Sequence, residues 1–199
     1  MEFMEFTVSG NGHGVREAVT ATEELGKSAG LGRKESLRLR LLAEELLGMV
    51  QSITGNLEAK YRAEQDGNDY RLMLYGSVDL TKEMRKTFLS VSSTGKNEAA
   101  RSFMGKLRDM ITASLLPRED GASAFSMGLM SLGSPTGYAA GENLNWSLSK
   151  YSDGVRNTAG ESAKEAWDEL EKSITASIAD DVSISIKGTN VMVTVSKKF

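Results

Sequence analysis

The sequence predicts an α/β chain of the α+β kind, a two-layer sandwich whose mixed, mostly antiparallel sheet carries helices on one face. Three observations lead there. Two stretches, "LEAKYRAEQDGNDYRLMLYGSV" and "DVSISIKGTNVMVTVSKKF", alternate apolar and polar residues about glycine-containing turns, the pattern of β-hairpins with one buried face. Before and between them, apolar residues recur at helical spacing, so strands come in sets with helices returning between them. Finally, 199 residues at 40% hydrophobic content suit one domain with a full core, and no internal repeat divides the chain.

In chain order, "FMEFTV" at 3–8 alternates as a short strand and leads into the glycine-rich turn "SGNGHG". "VREAVTATEELGKSAG" then places Val15, Val19, Thr22 and Leu25 on one helix face and stops at glycine. A second helix is expected over roughly 34–53, followed by the first hairpin around "DGND". Residues 81–91 and 96–115 read as helices, the latter with Ala99, Phe103, Leu107, Met110 and Ile111 on one side. From 117 to 160 the chain is rich in Gly, Ser and Asn with isolated Met and aromatic residues, the texture of a lid or binding loop, with "LNWSLSKY" as a short strand inside it. A helix over 161–179 and the second hairpin close the chain.

Composition narrows the function classes. A net charge of −3 and a pI near 5.4 supply no global positive field, so neither nucleic acid nor a membrane surface is expected as a partner. The run Arg33, Lys34, Arg38, Arg40 is interleaved with leucines at helical spacing and reads as a solvated helix face. Zero cysteines exclude disulfides and thiolate metal sites, and the single His13 excludes a site built on paired histidines, so no metal ligands are assigned. The acidic, alternating N-terminus is unlike a secretory leader, and the chain is read as cytoplasmic.

Short motifs mostly fail on their own terms. "GNGHGV" has Val15 where a dinucleotide fingerprint requires glycine, and "STGKN" at 93–97 has Ser90 and Asn97 in place of the first glycine and the hydroxyl residue of a P-loop. His13 lacks an elbow motif, and Asp180 with Asp181 sits where turn residues stand before a strand. That leaves "LLAEELLGMV". At about 100° per residue, Leu39, Leu42, Leu46, Met49, Val50 and Ile53 form one stripe, with Glu44 opposite its centre and Glu45 on its flank. Glu44 is therefore a surface carboxylate, whereas Glu45 sits at the core boundary, one turn before Met49.

The order of elements, with "LRLRLLAEELLGMVQSITGN" as a long helix, the hairpin after it, and "ELEKSITASIADDVSISIKGTNVMVTVSKKF" as a last helix and hairpin, resembles the histidine-kinase-like ATPase (GHKL) superfamily, and within it the anti-sigma-factor serine kinases. The resemblance implies a single such domain over 1–199, with a divergent lid or insertion at about 90–160. It places the catalytic glutamate on Glu45, the metal-binding asparagine position on Met49 and the adenine-reading aspartate on Asp79, with Gly95 as a further nucleotide contact in the divergent segment. A thioether is a poor ligand for a hard ion, so Mg²⁺ is not expected at Met49, and neither expected glycine follows Asp79. Two functions are expected from this. One is an ATP-binding regulatory protein with weak or absent phosphoryl transfer. The other is a non-catalytic protein–protein interaction module that keeps the fold but has lost nucleotide binding. Under either function a regulatory protein and a second copy, as a homodimer, are the expected partners.

Overall fold

The structure, a computed structural model, describes residues 1–50, 58–77, 103, 105, 107, 111 and 143–199. Its strands are β1 (Glu2–Ser9), β2 (Glu58–Asp66), β3 (Asp69–Ser77), β4 (Asn143–Ser147), β5 (Asp181–Lys187) and β6 (Asn190–Lys198). Its helices are α1 (Val15–Ser28), α2 (Arg33–Gly48), α3 (Leu148–Arg156), α4 (Glu161–Lys172) and α5 (Ile174–Ile178). The strands form one sheet in the order β1-β2-β3-β6-β5-β4. The sequence allowed a mixed sheet; every pairing among the described strands is antiparallel.

The two hairpins close with two-residue turns at Gly67-Asn68 and Gly188-Thr189, and the glycines take φ 60° and 59°, the positive first-position φ that such turns require. Their register aligns one apolar row across the whole sheet: Phe6, Tyr61, Leu74, Val193, Ile184 and Trp146 sit opposite one another strand by strand. All but the half-buried Phe6 are buried. A one-residue slip would turn this row to water, so the register is tightly specified. Against the apolar face pack α1, α2 and α3, making a two-layer arrangement with one contiguous core. The opposite face carries Lys60, Tyr75 and Met192, all exposed.

Several element boundaries differ from expectation. The helix expected over 34–53 runs from Arg33 to Gly48, with Val50 again helical and 51–53 outside the described residues. Within the stretch expected to be irregular, β4 ends at Ser147 and α3 begins at Leu148, so the "SKY" of the expected strand is helical. The cause lies far along the chain: the Asp181 carboxylate accepts the Ser149 N–H at 3.0 Å, satisfying a first-turn donor, while Leu148, Tyr151 and Val155 bury one stripe. The single helix expected over 161–179 is broken at Ser173, which is extended (φ −81°, ψ 123°) and whose hydroxyl accepts the Ala176 N–H at 3.2 Å, capping α5. Of the stripe expected at 96–115, Phe103, Leu107 and Ile111 are helical and buried, with Phe103 6.1 Å from Trp146 between ring centroids. The helix expected at 81–91 lies outside the described residues.

Candidate functional site

Of the residues singled out by the sequence, Glu45 lies on α2, the second helix of the α1–α2 hairpin, and Met49 directly after it. Helix α1 ends in a left-handed glycine, Gly30 at φ 85°, with the Leu31 N–H bonded to the Gly26 carbonyl and the Gly30 N–H to the Lys27 carbonyl, both at 3.0 Å. This Schellman geometry satisfies the last carbonyls and turns the chain directly into α2. There the Glu35 carboxylate accepts the Gly32 N–H at 2.8 Å, fixing the start of the second helix. A Cβ on Gly26 would lie 3.1 Å from both Leu31 and Leu39, so the two helices approach closely at a residue without a side chain.

Helix α2 buries Ser36, Leu39, Leu42, Ala43, Leu46 and Leu47. The stripe thus includes the predicted Leu39, Leu42 and Leu46 and is wider than predicted. Met49 is 4% exposed and belongs to the core, as does Val50. Glu44 faces solvent and accepts a 2.9 Å hydrogen bond from Arg40, in keeping with a surface carboxylate. Glu45 is half-buried on the flank, as its helical position requires. Asp79 and Gly95, and "STGKN" with Gly95, lie outside the described residues, so only Glu45 and Met49 of the four expected site residues have a described place. Met49 belongs to the core cluster, whereas Glu45 stays half-buried on the helix flank.

Beside α2 runs a charge network. Glu23 accepts from Lys27 at 2.8 Å and from Arg40 at 2.9 Å, and these two hydrogen bonds, in that order, hold its carboxyl below the usual range. Lys27 and Arg40 are correspondingly raised, chiefly by Glu23, with Glu24 adding to Lys27 and Glu44 to Arg40. The network borders an open groove of about 470 Å³ lined by Glu23, Lys27, Leu31, Arg33, Ser36 and Leu37. The cations Arg33, Lys34 and Arg38 form no ion pair among the described residues. Between them, Leu37 and Leu41 stand one turn apart and remain 44% and 38% exposed. The spacing of the cations predicts a solvated face, and the same periodicity leaves the two leucines off the core stripe.

The remaining motifs are structural. In "GNGHG" the Asn11 side chain accepts from the Ser9 hydroxyl (2.6 Å) and the His13 N–H (3.0 Å), closing the turn on itself. Gly14 at φ 71° lies so close to β1 that a Cβ would meet the Thr7 carbonyl oxygen at 2.3 Å. Asp180 and Asp181 serve different elements, Asp181 capping α3 and Asp180 accepting from Lys197 and the Lys198 N–H. Burial alone would raise the Asp180 carboxyl, but those bonds and the Lys197 charge hold it low. Deep between α1 and the sheet, the Tyr61 hydroxyl meets Thr22 Oγ1 at 2.8 Å, and burial pushes the Tyr61 phenol far up. Among the described residues no three His, Cys, Asp or Glu side chains gather as metal ligands, and no helix is long and apolar enough to cross a membrane.

No protein-family model matches the chain, and neither a curated protein nor a solved structure matches it.

Proposed function

We propose that this chain is a regulatory interaction module on the histidine-kinase-like ATPase plan, of the anti-sigma-factor kinase type, that acts through protein contact rather than phosphoryl transfer. The observation that carries this is the contrast along α2. Met49, at the position where such an enzyme would hold its metal, is 4% exposed in the core at the C-terminal end of α2, while Leu37 and Leu41 earlier on the helix stay in water. Phosphoryl transfer depends on placing Mg²⁺ and phosphates accurately, and a buried thioether supplies neither a hard-ion ligand nor access. Exposed leucines bordered by cations that form no ion pair among the described residues are instead the makings of a contact surface.

A second reading, ATP binding without turnover, is favoured by one feature: Glu45 stays half-buried at the core boundary, where the base of a nucleotide site would stand. Thermal denaturation with and without millimolar Mg-ATP, alongside a phosphate-release assay, separates the two. The interaction reading expects no phosphate release and no rise in Tm. Ligand linkage at saturating nucleotide would raise stability by about 2.7 kcal/mol at a hundredfold excess over Kd, an easily seen shift. Such a shift without turnover supports the second reading, and turnover overturns both.

A further inference from the structure

We infer that the outward face of α2 is a self-complementary docking surface whose occupant is a second copy of this chain, packed helix against helix in antiparallel orientation. The inference rests on the interaction reading for its choice of face and adds the partner. The residues of that face are arranged with a dyad. Leu37 and Leu41 are centred on position 39; Arg33 with Glu44, and Lys34 with Glu45, are each eleven residues apart and centred within half a residue of the same point. At about 100° per residue, Arg33 and Glu44 fall on one flank of the exposed leucine pair, and Lys34 and Glu45 on the other. A twofold axis through position 39 therefore brings Leu37 of one copy onto Leu41 of the next. It also sets Arg33 beside the second copy's Glu44, and Lys34 beside its Glu45.

The interface is isologous, so each favourable pair occurs twice. Arg33, Lys34, Leu37, Leu41 and Glu44 are exposed and Glu45 is half-buried, so the face is open to a partner in the isolated chain. Arg33 and Lys34 form no ion pair among the described residues, whereas the neighbouring Arg40 is already held by Glu23 and Glu44. An anionic lipid surface fits less well, because Glu44 and Glu45 occupy the last turn of the same face. Two leucines per copy on a four-turn helix bury less than a standard interface, so the dimer is reversible and depends on concentration and salt.

The test is sedimentation velocity of the full chain, from about 5 µM to about 500 µM, without nucleotide. Wild type is expected to shift from monomer to dimer over that range, with the shift weakened at 0.5 M NaCl. Lys34→Glu and Glu45→Lys each place like charges across the dyad and are expected to stay monomeric. An equimolar mixture of these two variants restores both pairs and is expected to dimerise, while circular dichroism checks that each is folded. Wild type monomeric at 500 µM overturns the proposal, as does a dimer unaffected by either variant or a mixture that fails to associate. Recruitment of wild type to anionic phosphatidylserine vesicles without self-association also overturns it, in favour of a membrane. None of these results bears on the phosphate-release assay, so failure here is distinct from failure of the non-catalytic reading.

Discussion

The buried contact between Tyr61 and Thr22 permits a sharp energetic test of how α1 is held on the sheet. Thr22 has one hydroxyl proton, and it points to the Ala18 carbonyl at 2.7 Å, so in the 2.8 Å contact with Tyr61 the phenol is the donor. Both residues are fully buried. Thr22→Val keeps the shape but strands the Tyr61 hydroxyl away from water, with an expected cost of about 2 kcal/mol from an unsatisfied buried donor. Tyr61→Phe removes the donor and leaves Thr22 its bond to Ala18, so about 1 kcal/mol is expected. The double variant removes both polar partners together and should cost about 1 kcal/mol, well short of the roughly 3 kcal/mol of additive effects. Urea unfolding gives the cycle directly, provided the slope m is unchanged among the four proteins. Additivity within about 0.5 kcal/mol, or Thr22→Val milder than Tyr61→Phe, would refute the assigned direction of the bond. The same residue carries an alkaline signature. The Tyr61 phenol is raised above its ordinary 10.0 by burial, so its contribution is present below pH 10 and is lost as pH rises through the higher folded value. Tyr61→Phe should flatten that loss, and what remains includes Tyr151, pushed up to about 12 by burial and by the charge of Glu169.

Other substitutions test the placements on which the functional argument stands. Met49→Leu should cost under about 1.5 kcal/mol and Met49→Asn more than about 2, because the amide would be buried among apolar side chains; equal urea midpoints for Met49→Asn and wild type would put the residue in a polar pocket instead. Gly14→Ala combines φ 71° with a 2.3 Å approach to the Thr7 carbonyl oxygen, whereas Gly12→Ala at φ 90° meets nothing within 4 Å. The first should therefore lose about 2 kcal/mol or more and the second about 1, and similar melting temperatures for the two would contradict the packing of α1 on β1. The Asp180 carboxyl is held below its ordinary 3.8, so its stabilisation is present above that pH and is lost as pH falls through the lower folded value. Asp180→Asn should thus unfold at lower urea at pH 7, the gap to wild type closing only below pH 3.8; a gap unchanged at pH 2 would exclude the Lys197 and Lys198 contacts as its source.

Much of the fold was legible because its signals are local. Each hairpin, β2–β3 and β5–β6, lies with its turn glycine within about twenty residues, and its alternation places Tyr61 with Leu74, and Ile184 with Val193, on one face of that hairpin without reference to the rest of the chain. The helical stripe of α2 likewise separated Glu44 from Glu45 before any packing was considered. Less was legible where a distant group decides. Nothing near residue 148 says that a helix starts there, because the carboxylate that caps it belongs to Asp181. The break at Ser173 has a local cap, but a serine inside an apolar run reads equally well as helix interior until the backbone takes its extended turn.

The same division applies to the candidate site. By itself the sequence determined the fold class, the two hairpins and the identities Glu45 and Met49 at one turn's spacing, since periodicity and side-chain chemistry are properties of neighbours along the chain. Periodicity alone sets Met49 on the apolar stripe and leaves Leu37 and Leu41 off it; only the tertiary structure decided what covers that stripe, with α2 packed on β3 and β6 and Met49 4% exposed. Leu37, Leu41 and Met49 are all apolar; how far each is buried depends on whether a sheet or water lies opposite, and that is set by segments brought together only by folding.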